Sequence, residues 1–119
     1  MEINNLRARR ASHPGDILNY GEVARAFHDL LQADAKAVIA ILTGVGSGEY
    51  RGDLFVGTTC AAHSCGSIEA LLIADMPARR LFVAWKLDGK PIEVRPAVTQ
   101  WKAEARSALR NWSAKWARR

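Results

Sequence analysis

A chain of 119 residues, 49% apolar and 24% charged, has the composition of a globular protein and the length of one domain with a modest core. No apolar run reaches the length of a membrane span, and residues 1–16 lack the apolar centre of a secretory signal. The formal net charge of +5 sits in the tail: residues 1–16 are net +1, residues 17–99 net −1 and residues 100–119 net +5. Whole-chain charge therefore does not argue for nucleic acid as a partner.

Residues 1–16 read as an irregular arm. Arg7, Arg9 and Arg10 form a small solvated cluster, and His13 sits in a turn before Pro14-Gly15 with no assigned role. A helix follows. Asn19 can cap it, with Glu22 three residues on as in a capping box. Val23, Ala26, Phe27, Leu30 and Leu31 fall on one stripe at helical spacing, and His28 lies off the stripe as a surface residue. Ala33 to Lys36 carry the chain into a turn or a last helical turn. Ala37 to Thr43 is apolar but too short to separate helix from buried strand. Gly44, Gly46 and Gly48 have no lysine among them and precede a strand rather than a helix. A phosphate loop needs the helix, so they read as a flexible turn. Arg51-Gly52-Asp53 is an adhesion tripeptide in letters alone.

The stretch from Tyr50 to Ala74 holds both cysteines, Cys60 and Cys65, with His63 between them. Apolar, β-rich runs flank it: Leu54-Phe55-Val56 before, Ile68 and Leu71-Leu72-Ile73 after. Two strands joined by a short loop is the simplest reading. Asp75 to Arg79 then make a connection, and Leu81 to Trp85 a further strand. Asp88-Gly89 is a two-residue hairpin signal, and Pro91 to Arg95 make a last strand at an edge. Pro96 ends the sheet and Thr99 can cap a final helix over residues 99–117. Trp101, Ala105, Ala108, Leu109, Trp112 and Trp116 share one face of it; Lys102, Arg106 and Arg110 occupy much of the other. Such a helix could make weak contact with an anionic surface. Its tryptophans could instead cover a sheet face or a second subunit, as in a homodimer, and this is the favoured reading. The predicted fold is α+β: an antiparallel sheet of four to five strands, with an N-terminal helix and a C-terminal amphipathic helix packed on it, as one domain over 1–119.

The loop leaves several chemistries open. In an oxidising compartment the cysteines could close a small ring, for which loop entropy gives about 2 kcal/mol. Within it Ala61 and Ala62 carry no chemistry, while His63 and Ser64 are polar. Cys60, His63 and Cys65 could instead make part of a zinc site, although a structural zinc takes four ligands. Reactive thiols usually sit at a helix N-terminus or beside a base, whereas these flank a β loop. The ring could also be structural and the histidine idle. No carboxylate pair, no Ser-His-Asp order and no cofactor fingerprint suggests an enzyme, so no cofactor or metal is expected.

Cys60-x-x-His63-x-Cys65-Gly66-Ser67 between two strands resembles the hallmark of the inhibitors of vertebrate lysozyme, the Ivy family. That hallmark reads Cys-Lys-Pro-His-Asp-Cys and in some members continues into Gly-Ser. Tyr50 also fits, and a looser likeness runs from Val23 to Trp101 through Ala26-Phe27 and Leu81-Phe82. Ala61 and Ala62 replace Lys-Pro, and Ser64 replaces Asp. The resemblance implies a Cys60–Cys65 disulfide. It implies a target-binding loop of Cys60, Ala61, Ala62, His63, Ser64 and Cys65 that enters the lysozyme cleft, with His63 the key inhibitory residue. The implied partner is a c-type lysozyme, or a lysozyme-like muramidase or lytic transglycosylase. The implied location is the periplasm or the exterior, the chain starting after a removed signal.

Overall fold

The computed structural model describes Leu6 and residues 12–117. Three helices precede the sheet: α1 (Pro14–Ile17), α2 (Gly21–Leu31) and α3 (Ala35–Leu42), the last two joined by a 3-10 turn over Gln32–Asp34. Five strands follow: β1 (Val45–Arg51), β2 (Leu54–Cys60), β3 (Glu69–Asp75), β4 (Arg80–Lys86) and β5 (Glu93–Arg95). A 3-10 turn over Val98–Gln100 leads into α4 (Ala103–Ala117). The strands lie side by side in chain order, each antiparallel to the next. The fold is α+β, as its sequence predicts.

Both faces of the sheet are covered. The register aligns Phe55, Ala74 and Leu81, and beside them Leu72 with Val83. These side chains meet Ile17, Val23, Phe27, Leu31, Val38 and Leu42 from the three N-terminal helices. On the other face Val56, Ile73 and Phe82 align, with Leu71 opposite Ala84. Trp101 and the α4 residues Ala105, Ala108 and Trp112 close over them. The central strand β3 is consequently buried at every position. A strand covered on both sides needs no polar alternation, which is why Ala70 to Ala74 reads as an unbroken apolar run. The tryptophan stripe is spent on the sheet. No helix among the described residues is long and apolar enough to cross a membrane.

Several local expectations are corrected. The cap of α2 is Tyr20, with no side-chain cap bond, rather than Asn19. Asn19 instead closes α1, donating its backbone N–H to Asp16 O at 3.1 Å. Glu22 pairs with Arg79 at 2.7 Å. Ala37 to Leu42, which the sequence leaves open between helix and strand, is helical, continuing from Ala35. Gly46 and Gly48 lie in the strand β1 rather than in a flexible turn, and Gly44 sits at the bend before it. Its Gly48 stands opposite Gly57 of β2. A Cβ on Gly48 would lie 2.4 Å from the Phe55 ring, and one on Gly57 2.3 Å from the Pro14 ring. Bare backbone at this pair lets the start of α1 rest directly on the sheet. Asp88-Gly89 does turn, with Lys90 N–H donating to Leu87 O at 3.0 Å, but pairing resumes only where Glu93 meets Trp85. The last helix starts at Ala103 rather than Thr99. Trp101 precedes it in extended conformation, buried, its indole N–H donating to Pro96 O at 2.8 Å.

Within the arm, Leu6 is fully buried and its carbonyl accepts from the Tyr50 hydroxyl at 2.9 Å. The Arg7, Arg9 and Arg10 cluster lies outside the described residues. His13 does have a role. Its Nδ1 accepts the Gly15 N–H at 2.9 Å, so its Nε2 carries the proton and donates to Gly44 O, also at 2.9 Å. The ring thus caps α1 and ties it to the start of β1.

Candidate functional site

Cys60 ends β2 and Glu69 begins β3, and the two face each other across the ladder. Residues 61–68 connect them. Ala61 N–H donates to Ile68 O at 3.0 Å, which carries the pairing one step beyond the strands. Two tight turns follow. Ser64 N–H donates to Ala61 O at 2.9 Å; then Ser67 and Ile68 N–H both donate to Ser64 O, at 3.0 and 2.9 Å. His63 is the third residue of the first turn and has φ of 65°. That left-handed region is costly for most side chains, but histidine is among the few enriched there.

The two cysteines are bonded, with their Cα atoms 4.9 Å apart. Cys60 is buried at the base, while Cys65, Ala62 and His63 are exposed and Ala61 and Ser64 half-buried. His63 has no hydrogen-bond partner among the described residues. The disulfide uses both thiols, so neither sulfur is left as a thiolate for zinc or for nucleophilic work. Among the described residues, no group of three His, Cys, Asp or Glu side chains is placed to hold a metal ion.

A second set of contacts grips the far side of the ring. Gly66, immediately after Cys65, donates its N–H to Glu69 Oε2 at 2.7 Å. Its carbonyl accepts the Trp116 indole N–H at 2.8 Å. The other oxygen of Glu69 pairs with Lys115. The Lys115 ammonium also lies 4.6 Å from the centre of the Trp116 ring, and Lys86 approaches the same ring at 5.8 Å. Trp116 meets Trp112 edge-on at 4.9 Å, and Trp112 is buried against the sheet.

Residues 22–115 match the family model described as inhibitor of vertebrate lysozyme (Ivy). The chain belongs to the Ivy family. An uncharacterized protein, y4bG, of Sinorhizobium fredii (strain NBRC 101917 / NGR234) is 43% identical over 111 residues, which is 93% of this chain. The chain spans 41% of that relative's length. No solved structure matches the chain.

The Ivy match runs from α2 to the last turns of α4, so it includes the loop, Glu69 and Lys115. Two apolar side chains at the same end of the sheet escaped the sequence reading. Val45 stands opposite Cys60 at the base of the ring, and Leu87 follows Lys86, which stands opposite Glu69. They are 60% and 39% exposed, so the ring has an apolar shoulder on each side. Exposed apolar residues beside a protruding loop are a contact signal, but only once the register is known. The remaining histidines lie elsewhere: His13 caps α1, and His28 is exposed on α2 with its ring edge-on to Phe27 at 6.3 Å. At the other end of the sheet Asp75 pairs with Lys102 at 3.2 Å. The hydrogen bond to that carboxylate holds the Lys102 ammonium above the usual lysine value.

Proposed function

We propose that this Ivy-family chain inhibits a muramidase by seating the Cys60–Cys65 loop in the active-site cleft, with His63 as the plug. The observation that carries the reading is the placement of His63. It is exposed at the tip of a disulfide-closed turn whose backbone is already held in an unusual conformation. A loop fixed before encounter loses little ordering entropy on binding.

Lysozyme-type retaining glycosidases place two carboxyl groups about 5–5.5 Å apart. One has a raised pKa and the other stays ionised. An imidazole presents nitrogens on two sides and can reach both groups at once. Donation to an ionised carboxylate is the stronger kind of hydrogen bond. Ala61, Ala62 and Ser64 would fill the sugar site around the ring and displace water from it. Val45 and Leu87 would meet the lips of the cleft. Inhibition is then competitive and non-covalent. The partner is a c-type lysozyme, or a lysozyme-like muramidase or lytic transglycosylase, met in the periplasm or outside the cell where a disulfide persists.

Titration of a c-type lysozyme and of a lytic transglycosylase with wild type and His63→Ala tests the reading. The expected result is competitive inhibition by wild type and at least a hundredfold rise in inhibition constant for the variant, about 2.7 kcal/mol. Equal inhibition by both proteins would remove His63 from the mechanism.

A further inference from the structure

We infer that the last turn of α4 sets the conformation of the inhibitory loop, with Glu69, Lys115 and Trp116 as positioning residues for His63. The inference rests on the loop being the inhibitory element. A disulfide closes the ring but leaves open how the ring tilts on the sheet. Gly66 follows Cys65 directly, and both of its backbone polar groups are held from outside the ring, by Glu69 Oε2 and by the Trp116 indole.

These holders are themselves fixed. Glu69 belongs to the central strand β3 and is 8% exposed, so its carboxylate is a rigid acceptor. Lys115 occupies the other oxygen of that carboxylate and lies over the Trp116 ring, which couples the two α4 residues to each other. Trp116 rests on Trp112, and Trp112 is packed on the sheet. A continuous set of contacts therefore runs from the core through Trp112, Trp116 and Gly66 to Cys65 and the His63 turn. Bonds from ionised groups are the stronger members of such a set. Trp116 is half-buried and turned to the loop, so its indole N–H is not offered to a lipid surface.

Trp116→Phe in the full chain is the test, because it keeps an aromatic ring at the position and removes the N–H. Inhibition of a c-type lysozyme, thermal midpoint and amide exchange at residues 63–67 are measured together. The expected result is about a tenfold rise in inhibition constant, faster exchange at Gly66 and Ser67, and an unchanged midpoint. In a His63→Ala background the same substitution should add no further loss, since it acts through His63. Glu69→Gln, which keeps an acceptor but loses the charge, should give an intermediate effect. Unchanged inhibition and exchange would overturn the inference, as would losses that add fully to those of His63→Ala. A wild type that fails to inhibit would instead overturn the inhibitor reading, and the exchange rates would still decide whether the brace exists.

Discussion

The strand β2 is entered and left by two connections of opposite kind. Between β1 and β2 the chain reverses over Gly52 and Asp53, with Gly52 at φ of 58°. Between β2 and β3 it spends residues 61–68, and a disulfide, a buried carboxylate and an indole hold it. Both reversals join strands of the same sheet, and the first shows that two residues suffice. The longer one is not required by the fold. Its extra length and extra restraints are what the proposed role of His63 would need.

The contrast can be broken from below. Phe82 is 1% exposed and its ring centre lies 5.2 Å from that of Trp101. Phe82→Ala should destabilise the protein by about 3–5 kcal/mol in urea unfolding, the range for a large aromatic truncated in a core. Both connections should fail together. Removing the disulfide with Cys60→Ala and Cys65→Ala should cost about 2 kcal/mol or less, because the closed loop is short. Inhibition should fall at least tenfold, a separation of function from stability that the short turn cannot show.

A matched pair sharpens the comparison. Gly52 and Gly66 both have positive φ, 58° and 91°, and a Cβ at either would meet nothing within 4 Å. Alanine at either site therefore costs backbone strain alone, about 1–2 kcal/mol. Gly52→Ala should leave inhibition unchanged, whereas Gly66→Ala should weaken it severalfold in the same assay.

The smallest effect concerns the end of the sheet away from the ring. The Lys102 pKa is raised, chiefly by the hydrogen bond to Asp75. A raised lysine pKa means a contribution to stability that is present at neutral pH and lost as pH climbs through the folded-state value. Lys102→Met should be slightly less stable than wild type near neutrality, converge with it in the alkaline range, and inhibit equally well.

Much of this was legible because periodicity reports burial. Val23, Phe27 and Leu31 recur at helical spacing because they face the sheet. The stripe of Ala105, Ala108 and Trp112 is legible for the same reason on the opposite face. The central loop is legible from its cysteines and from the residues it shares with Ivy proteins. The strand β1 was not, because Gly46 and Gly48 show no side-chain pattern; what they signal is the close approach of another segment. The brace was not legible either. Glu69 and Lys115 are 46 residues apart, and Trp116 and Gly66 are 50 apart. No short-range rule links them, and in the sequence Trp116 is one more member of an apolar stripe, while in the fold its indole donates to the loop.

The most direct test of cleft insertion is competition for the cleft itself. Wild-type protein would be titrated calorimetrically into a c-type lysozyme, with and without a saturating chitin trisaccharide in the active site. The account predicts one-to-one binding that weakens in proportion to the occupancy of the sugar site. Binding of equal strength to the sugar-filled enzyme would place the contact elsewhere and contradict it.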